Sequence, residues 1–199
     1  MFIQVIKGKV TDADAVHAMG DRWQNELRPG ADGFLGMTAG VTVDGTLVNL
    51  ARFASREQAM ANSSRPEQGA WWAEFEKLFD GPVDFSESDD VVIMGDDARF
   101  DSAGFVQVIE GRTSDADALK SMQSEVSAAL AAERPELLGA IFVIQDDGTF
   151  VEAAYFTSED EAHAGEQREP SDEVKAVMDR AMAVMSFESF YDLTEPRLR

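Results

Sequence analysis

The sequence predicts an α+β protein built from two ferredoxin-like βαββαβ repeats. Three observations carry this. Much of the 199-residue chain is written twice at one constant spacing. Each copy orders its β-rich and helical stretches in the same way. The strands are apolar on both sides, so both faces of each sheet need cover.

The repeat is read from anchors. Phe2-Ile3-Gln4-Val5-Ile6-Lys7-Gly8 returns as Phe105-Val106-Gln107-Val108-Ile109-Glu110-Gly111, an offset of 103 positions. Asp12-Ala13-Asp14-Ala15, Asp44-Gly45-Thr46 and Phe53-Ala54-Ser55 have counterparts at the same offset: Asp115-Ala116-Asp117-Ala118, Asp147-Gly148-Thr149 and Phe156-Thr157-Ser158. One spacing across separate anchors means two copies of a unit, not a solenoid of repeats of about 20–50 residues. The expected organisation is a first repeat over 1–94, a polar linker over 95–104 and a second repeat over 105–199.

Each copy opens on a β-rich run, Phe2 to Val10 in the first. Thr11 and Ser114 are the expected N-caps of the next helix, with Asp14 and Asp117 three residues on. Val16, Met19, Trp23 and Leu27 recur at helical spacing, as do Leu119, Met122, Val126 and Leu130. Two strands follow in each copy. Asp44-Gly45 joins Leu35–Val43 to Leu47–Phe53, and Asp147-Gly148 joins Ile141–Gln145 to Phe150–Phe156. Asp-Gly between β-rich runs predicts a type I′ hairpin. Ser55 and Ser158 open capping boxes for a second helix. Pro66 and Gly69 are expected to break that helix in copy one, and Pro170 in copy two. It should restart over Trp71–Phe79 and Asp172–Met185. A last strand is expected within Val83–Met94 and over Ser186–Leu193. Ile3 and Val5 face one way, Phe2 and Ile6 the other. Helices cover one face, and the natural cover for the other is the second copy's sheet, packed sheet to sheet as an intramolecular barrel with a cavity inside.

Composition narrows the partners. Asp and Glu number 38 against 17 Lys and Arg, for a net charge of −21. Such a surface repels phosphate backbones and anionic lipid, so neither nucleic acid nor membrane is an expected partner. No run reaches the roughly 18 apolar residues of a membrane helix, and the N-terminus does not read as a secretory signal. With no Cys, disulfides and thiolate chemistry are out; a cytoplasmic location fits. Two His without Cys make no zinc signature, so no metal is expected. No Gly-rich phosphate loop or G-x-S-x-G is present, and no cofactor is expected.

The element order, the repeat and the stretch Phe53-Ala54-Ser55-Arg56-Glu57-Gln58-Ala59 resemble the dimeric α+β barrel superfamily, and within it the antibiotic-biosynthesis-monooxygenase (ABM)-like domains. The resemblance implies a tandem fused pair of such domains, a monomer or weak homodimer, and a small-molecule ligand. Relatives of this kind include cofactor-free monooxygenases of polyketide-like aromatics and haem-degrading enzymes. The chain departs from the haem-degrading pattern. Where those members carry a His in the second helix, copy one has Asn62-Ser63, and His163 of copy two comes slightly early. The acid that many members place two residues before the aromatic is Ala51 or Ala154 here.

The candidate ligand residues follow. Gln4 and Gln107 are amides in apolar strands, and a buried amide needs partners; the resemblance gives a first-strand amide a substrate-positioning role. Trp71 and Trp72 lie beside the helix break with Asn62 and Arg65. Rings there could stack on a flat substrate, and Arg65 could pair with an anionic oxygen. Trp71, Trp72, Phe75 and Phe79 also have helical core spacing. Asn49 and Arg52 correspond to Glu152 and Tyr155, and strand alternation lets only one of each pair face a cavity. His17 and His163 read as solvated. No catalytic residue is assigned. Two functions follow: a cofactor-independent monooxygenase acting on a small aromatic molecule, with copy one as the better site, or a non-catalytic binding or accessory protein with a filled cavity.

Overall fold

A computed structural model describes residues 1–199. Packing divides the chain into two units, Met1–Asp89 with Arg199, and Asp90–Leu198. The first unit contains β1 (Phe2–Lys9), α1 (Ala13–Arg22), β2 (Phe34–Val41), β3 (Thr46–Phe53), α2 (Arg56–Ser63), α3 (Pro66–Phe75) and β4 (Asp84–Ser88). The second contains β5 (Val91–Gly95), β6 (Phe105–Thr113), α4 (Ala116–Glu133), β7 (Leu137–Ile144), β8 (Thr149–Phe156), α5 (Glu159–Glu166), α6 (Asp172–Met182) and β9 (Met185–Leu193). A short β10 (Arg197–Leu198) follows. The chain is thus α+β, with two five-stranded sheets of order β10-β2-β3-β1-β4 and β5-β7-β8-β6-β9.

The stretch Val83–Met94, expected to hold one last strand, holds two. Val91–Gly95 pairs with β7, because its apolar run fits the second sheet's edge, and the divide falls before it. Gly95–Gly104, expected as linker, contains a 3₁₀ turn over Asp97–Ser102. Its Phe100 is buried and stacks on Tyr155 at 4.1 Å.

Local chemistry explains the remaining differences from the sequence reading. The first-helix caps are Asp12 and Asp115, one residue later than expected. Each carboxylate accepts from a backbone N–H three residues on, at 2.9 Å. Ser55 and Ser158 cap as expected. Neither hairpin is type I′, which needs two positive φ values, since only Gly45 (φ 79°) and Gly148 (φ 81°) have one. The Gly45 N–H donates to the Thr42 carbonyl and the Thr42 N–H to the Thr46 carbonyl. This is a type I turn followed by a left-handed Gly. Pro66 starts α3 at its first turn, where a missing N–H costs nothing, so the second helix restarts there rather than at Trp71. Gly69 lies inside α3. Helix α1 runs into a π-helical turn over Trp23–Leu27. Its counterpart α4 is one continuous α-helix through Glu133.

Candidate ligand site

Register fixes which strand residues face the helices. In the first sheet, Asn49 of β3 lies between Ile6 of β1 and Ala39 of β2. Phe85 of β4 extends this row beside Ile6. The next row is Glu87, Gln4, Ala51 and Met37. Leu47 and Phe53, on the same side of β3, pack with helix residues Val16, Trp23, Trp71 and Ala59. Gln4 and Asn49 therefore face the helices. Gln4, a candidate for a cavity on the other side of the sheet, points to the helices instead, and of the pair Asn49 and Arg52 it is Asn49 that does so. The opposite side of the same strands, Ile3, Val5, Val48 and Leu50, is 0–4% exposed.

The helix-facing side of the first sheet is incompletely filled. Gln4, Ile6, Met37, Ala39, Asn49 and Ala51 all stay half-buried beneath the helices. Asn49 Oδ1 is a buried acceptor with no hydrogen-bond partner, an arrangement that ordinarily costs about 1–3 kcal/mol. Gln4 Nε2 makes only a long contact, 3.4 Å, to Glu87, whose other oxygen takes Arg56 at 2.8 Å. From the helix side, Gln24 of the π-helical turn reaches Met37 Sδ at 3.7 Å. Half-buried Trp72 meets the exposed Phe85 edge-on at 5.2 Å. Together these give a half-buried, apolar, sulfur- and ring-bearing surface with amides in it, the composition expected of a small-molecule site.

The other sequence candidates fall elsewhere. Trp71 is core: it stacks on Phe75 at 4.6 Å, and its Nε1 donates to the Met19 carbonyl at 3.0 Å. Asn62 and Arg65 form a brace. Arg65 Nη1 donates to Asn62 Oδ1 and to the Leu27 carbonyl, both at 3.0 Å, and its guanidinium also pairs with Glu67. The second copy has the same brace with its parts exchanged. Arg168 replaces Arg65 and bonds the Glu133 carbonyl at 3.2 Å and Glu136 Oε2 at 2.6 Å. Gly165 stands at the position of Asn62, because the buried Glu136 carboxyl occupies that space and a Cβ would collide with it. Burial raises the Glu136 pKa, but bonds from Arg134, its own backbone and Arg168 outweigh this and leave it lowered.

In the second sheet the helix-facing side is filled. Phe142 stands where the first copy has Ala39, and Phe150 where it has Leu47; both are buried, with Ile144, Ala140 and Ala154. Gln107 Nε2 donates to Asp192 at 3.0 Å. Glu152 holds the place of Asn49, between Ile109 and Phe142. The residue keeps some solvent contact, yet its carboxyl sits among so many protein atoms that desolvation pushes it up to about 7. Sequence reasoning paired Asn49 with Glu152 but could not choose between them and their neighbours, Arg52 and Tyr155; Gln24, Met37 and Phe85 carried no signal. No group of three or more His, Asp or Glu converges as a metal site. No helix is long and apolar enough to cross a membrane.

Comparison with known proteins gives a fold. No sequence-family profile matches the chain, and no curated protein is similar in sequence. A structure from Fusobacterium nucleatum, named a putative monooxygenase, superposes with a TM-score of 0.73 at 10% identity, covering 100% of this chain and 93% of that one. Another of the same name, from Lactobacillus acidophilus NCFM, gives 0.68 at 9% identity, covering 100% and 98%. An anthrone oxidase-like protein gives 0.64 at 12% identity, covering 99% and 92%. The chain shares their fold. At these identities the likeness speaks for architecture and leaves the chemistry to the site itself.

Proposed function

We propose that the first copy binds a flat, uncharged aromatic molecule between its sheet and its helices and acts on it as a cofactor-independent monooxygenase. The observation that carries the reading is Asn49 Oδ1, a buried acceptor without a partner on a face that stays half open. A substrate hydroxyl donating to it would relieve the desolvation cost. Trp72 and Phe85 would hold the ring plane, and Gln4 would fix a second polar group.

The chemistry that suits such a site needs no external reductant. An acidified methylene between aromatic rings loses a proton to water at the half-exposed mouth, since neither amide is a base. The carbanion gives electrons to dioxygen. One oxygen atom forms the new C=O, the second C–H bond breaks, and the other oxygen leaves as water with the two hydrogens. The amides orient the ring and stabilise the developing oxyanion, and the apolar walls keep the intermediate from solvent.

The test is a thermal-shift series with flat phenols and anthrone-like ketones on wild type, Asn49→Leu and Trp72→Ala, followed by oxygen uptake with any stabilising compound. A stabiliser lost in both variants and consumed with one equivalent of dioxygen supports the reading. A stabiliser that consumes no oxygen moves the protein to the non-catalytic binding class. Binding untouched by either substitution overturns the assignment of the site.

A further inference from the structure

We propose that Gln24 selects the ligand of the first copy, its amide donating to an acceptor oxygen on a ring seated over Ala39. This rests on the reading of the first copy as the ligand site. It adds the place of the ring and the residue that discriminates among rings.

The seat follows from a comparison of the copies. Ala39 of β2 stands directly across from Asn49, and Met37 follows on the same side of its strand. The counterpart of Ala39 is Phe142, whose ring is buried beside Phe150. The fold thus accommodates a six-membered ring at this place. The first copy has only a methyl group there, and Met37, Ala39, Asn49 and Ala51 all stay half-buried. A ring arriving from solvent would take the place that Phe142 fills from within.

Gln24 reaches this seat from the helix layer because α1 widens. The Arg28 N–H bonds the Trp23 carbonyl, five residues back, and such π-helical turns recur at functional sites. This one is pinned: Trp23 Nε1 donates to Gln68 Oε1 at 2.7 Å, and the Trp23 ring meets Phe34 at 4.9 Å. Helix α4 has no such turn and carries the shorter Ser127 at the matching position. Gln24 Nε2 contacts Met37 Sδ at 3.7 Å, and its amide has no other protein partner. A thioether is a weak acceptor, so a ligand oxygen is a better partner than the sulfur. Met37, unbranched and adaptable, can yield its place. Asn49 Oδ1 takes a donor from the sheet side, and Gln24 meets an acceptor from the helix side. The molecule selected is an uncharged ring carrying one of each.

The test is isothermal titration of the full chain with meta- and para-hydroxyacetophenone and with the matching ethylphenols, which lack the carbonyl. Saturable one-to-one binding is expected. The better hydroxyketone should bind about tenfold tighter than its ethylphenol, the worth of one hydrogen bond. Gln24→Leu should remove this preference. Gln24→Glu, which keeps the side-chain length and presents a carboxylate in place of the amide N–H, serves as a second variant with the same expectation. Ala39→Phe should abolish binding of all four compounds. Equal affinity for ketone and ethyl compound, or a preference that survives both Gln24 variants, would overturn the proposal and leave the first copy a ligand site. Binding that survives Ala39→Phe would overturn the seat. Failure of all four compounds to bind the wild type would overturn the proposal together with the reading beneath it.

Discussion

The two copies share a frame and differ in what fills it. Their hairpin strands, turns and first two helix caps coincide at matched positions. On the helix-facing side, however, copy one presents Ala39, Leu47 and Asn49 where copy two presents Phe142, Phe150 and Glu152. Two aromatic side chains close one interior, and their absence leaves the other half open. A ferredoxin-like unit thus stays folded with that face either packed or accessible, because the opposite face of each sheet supplies a continuous buried layer. The choice of site rests on a handful of strand positions.

The largest expected effect breaks this comparison directly. Phe142→Ala should cost about 3–5 kcal/mol, as large-to-small core changes do, while Ala39→Phe should cost less than about 1.5 kcal/mol because its surroundings have room. Ala39→Phe should also abolish ligand stabilisation in copy one. Urea unfolding of both variants checks the asymmetry, and similar costs for the two would mean that the copies are equally packed.

Next in size is Glu152. Its folded pKa, about 7, lies above the ordinary 4.5, so the native state binds the proton more tightly than the unfolded chain. The sign follows from linkage: ionisation destabilises the fold as pH rises through that window, by up to about 3 kcal/mol above pH 7. The stability of Glu152→Gln minus that of wild type should grow from about pH 4.5 to pH 7 and then level off. The charged groups His163 on α5 and Asp192 on β9 are common to both proteins and cancel in the difference. A flat difference would place the carboxyl in contact with bulk water.

The smallest effect concerns the brace. Glu136→Ala strands Arg134 and Arg168 and should cost about 2–3 kcal/mol, discounted from the cost of a fully buried pair because Arg168 is half exposed. Asn62→Ala removes one neutral acceptor and should cost about 1 kcal/mol. Thermal unfolding of the two variants compares them, and equal shifts would show that the exchanged parts are energetically equivalent.

Much of the frame was legible because it is local chemistry: hairpin glycines, serine caps, helical spacing and the repeat itself. What was not legible depends on register. Whether Asn49 or Arg52 faces the helices is decided by a strand's pairing, and a shift of one residue reverses every side chain. Arg65 had the chemistry of an anion ligand in the sequence. Its partners Asn62 and Glu67 are local, but the Leu27 carbonyl that completes its binding comes from a segment that only the fold brings near. Trp71 and Trp72 were indistinguishable by type, and α3 turns one into the core and the other toward Phe85. Glu152 looked like an ordinary strand acid until Phe142 and Ile109 were seen on either side of it.

The exchange of parts between Asn62 and Gly165 has a consequence for how such a molecule changes over generations. In a homodimer of identical chains, every substitution is made twice, so a change that improves one pocket is imposed on the other. Joining two copies in one gene lifts that constraint. One interior can be sealed with phenylalanine while its twin stays half open. A single chain can then keep one receptive interior and use the packing of its twin as scaffold.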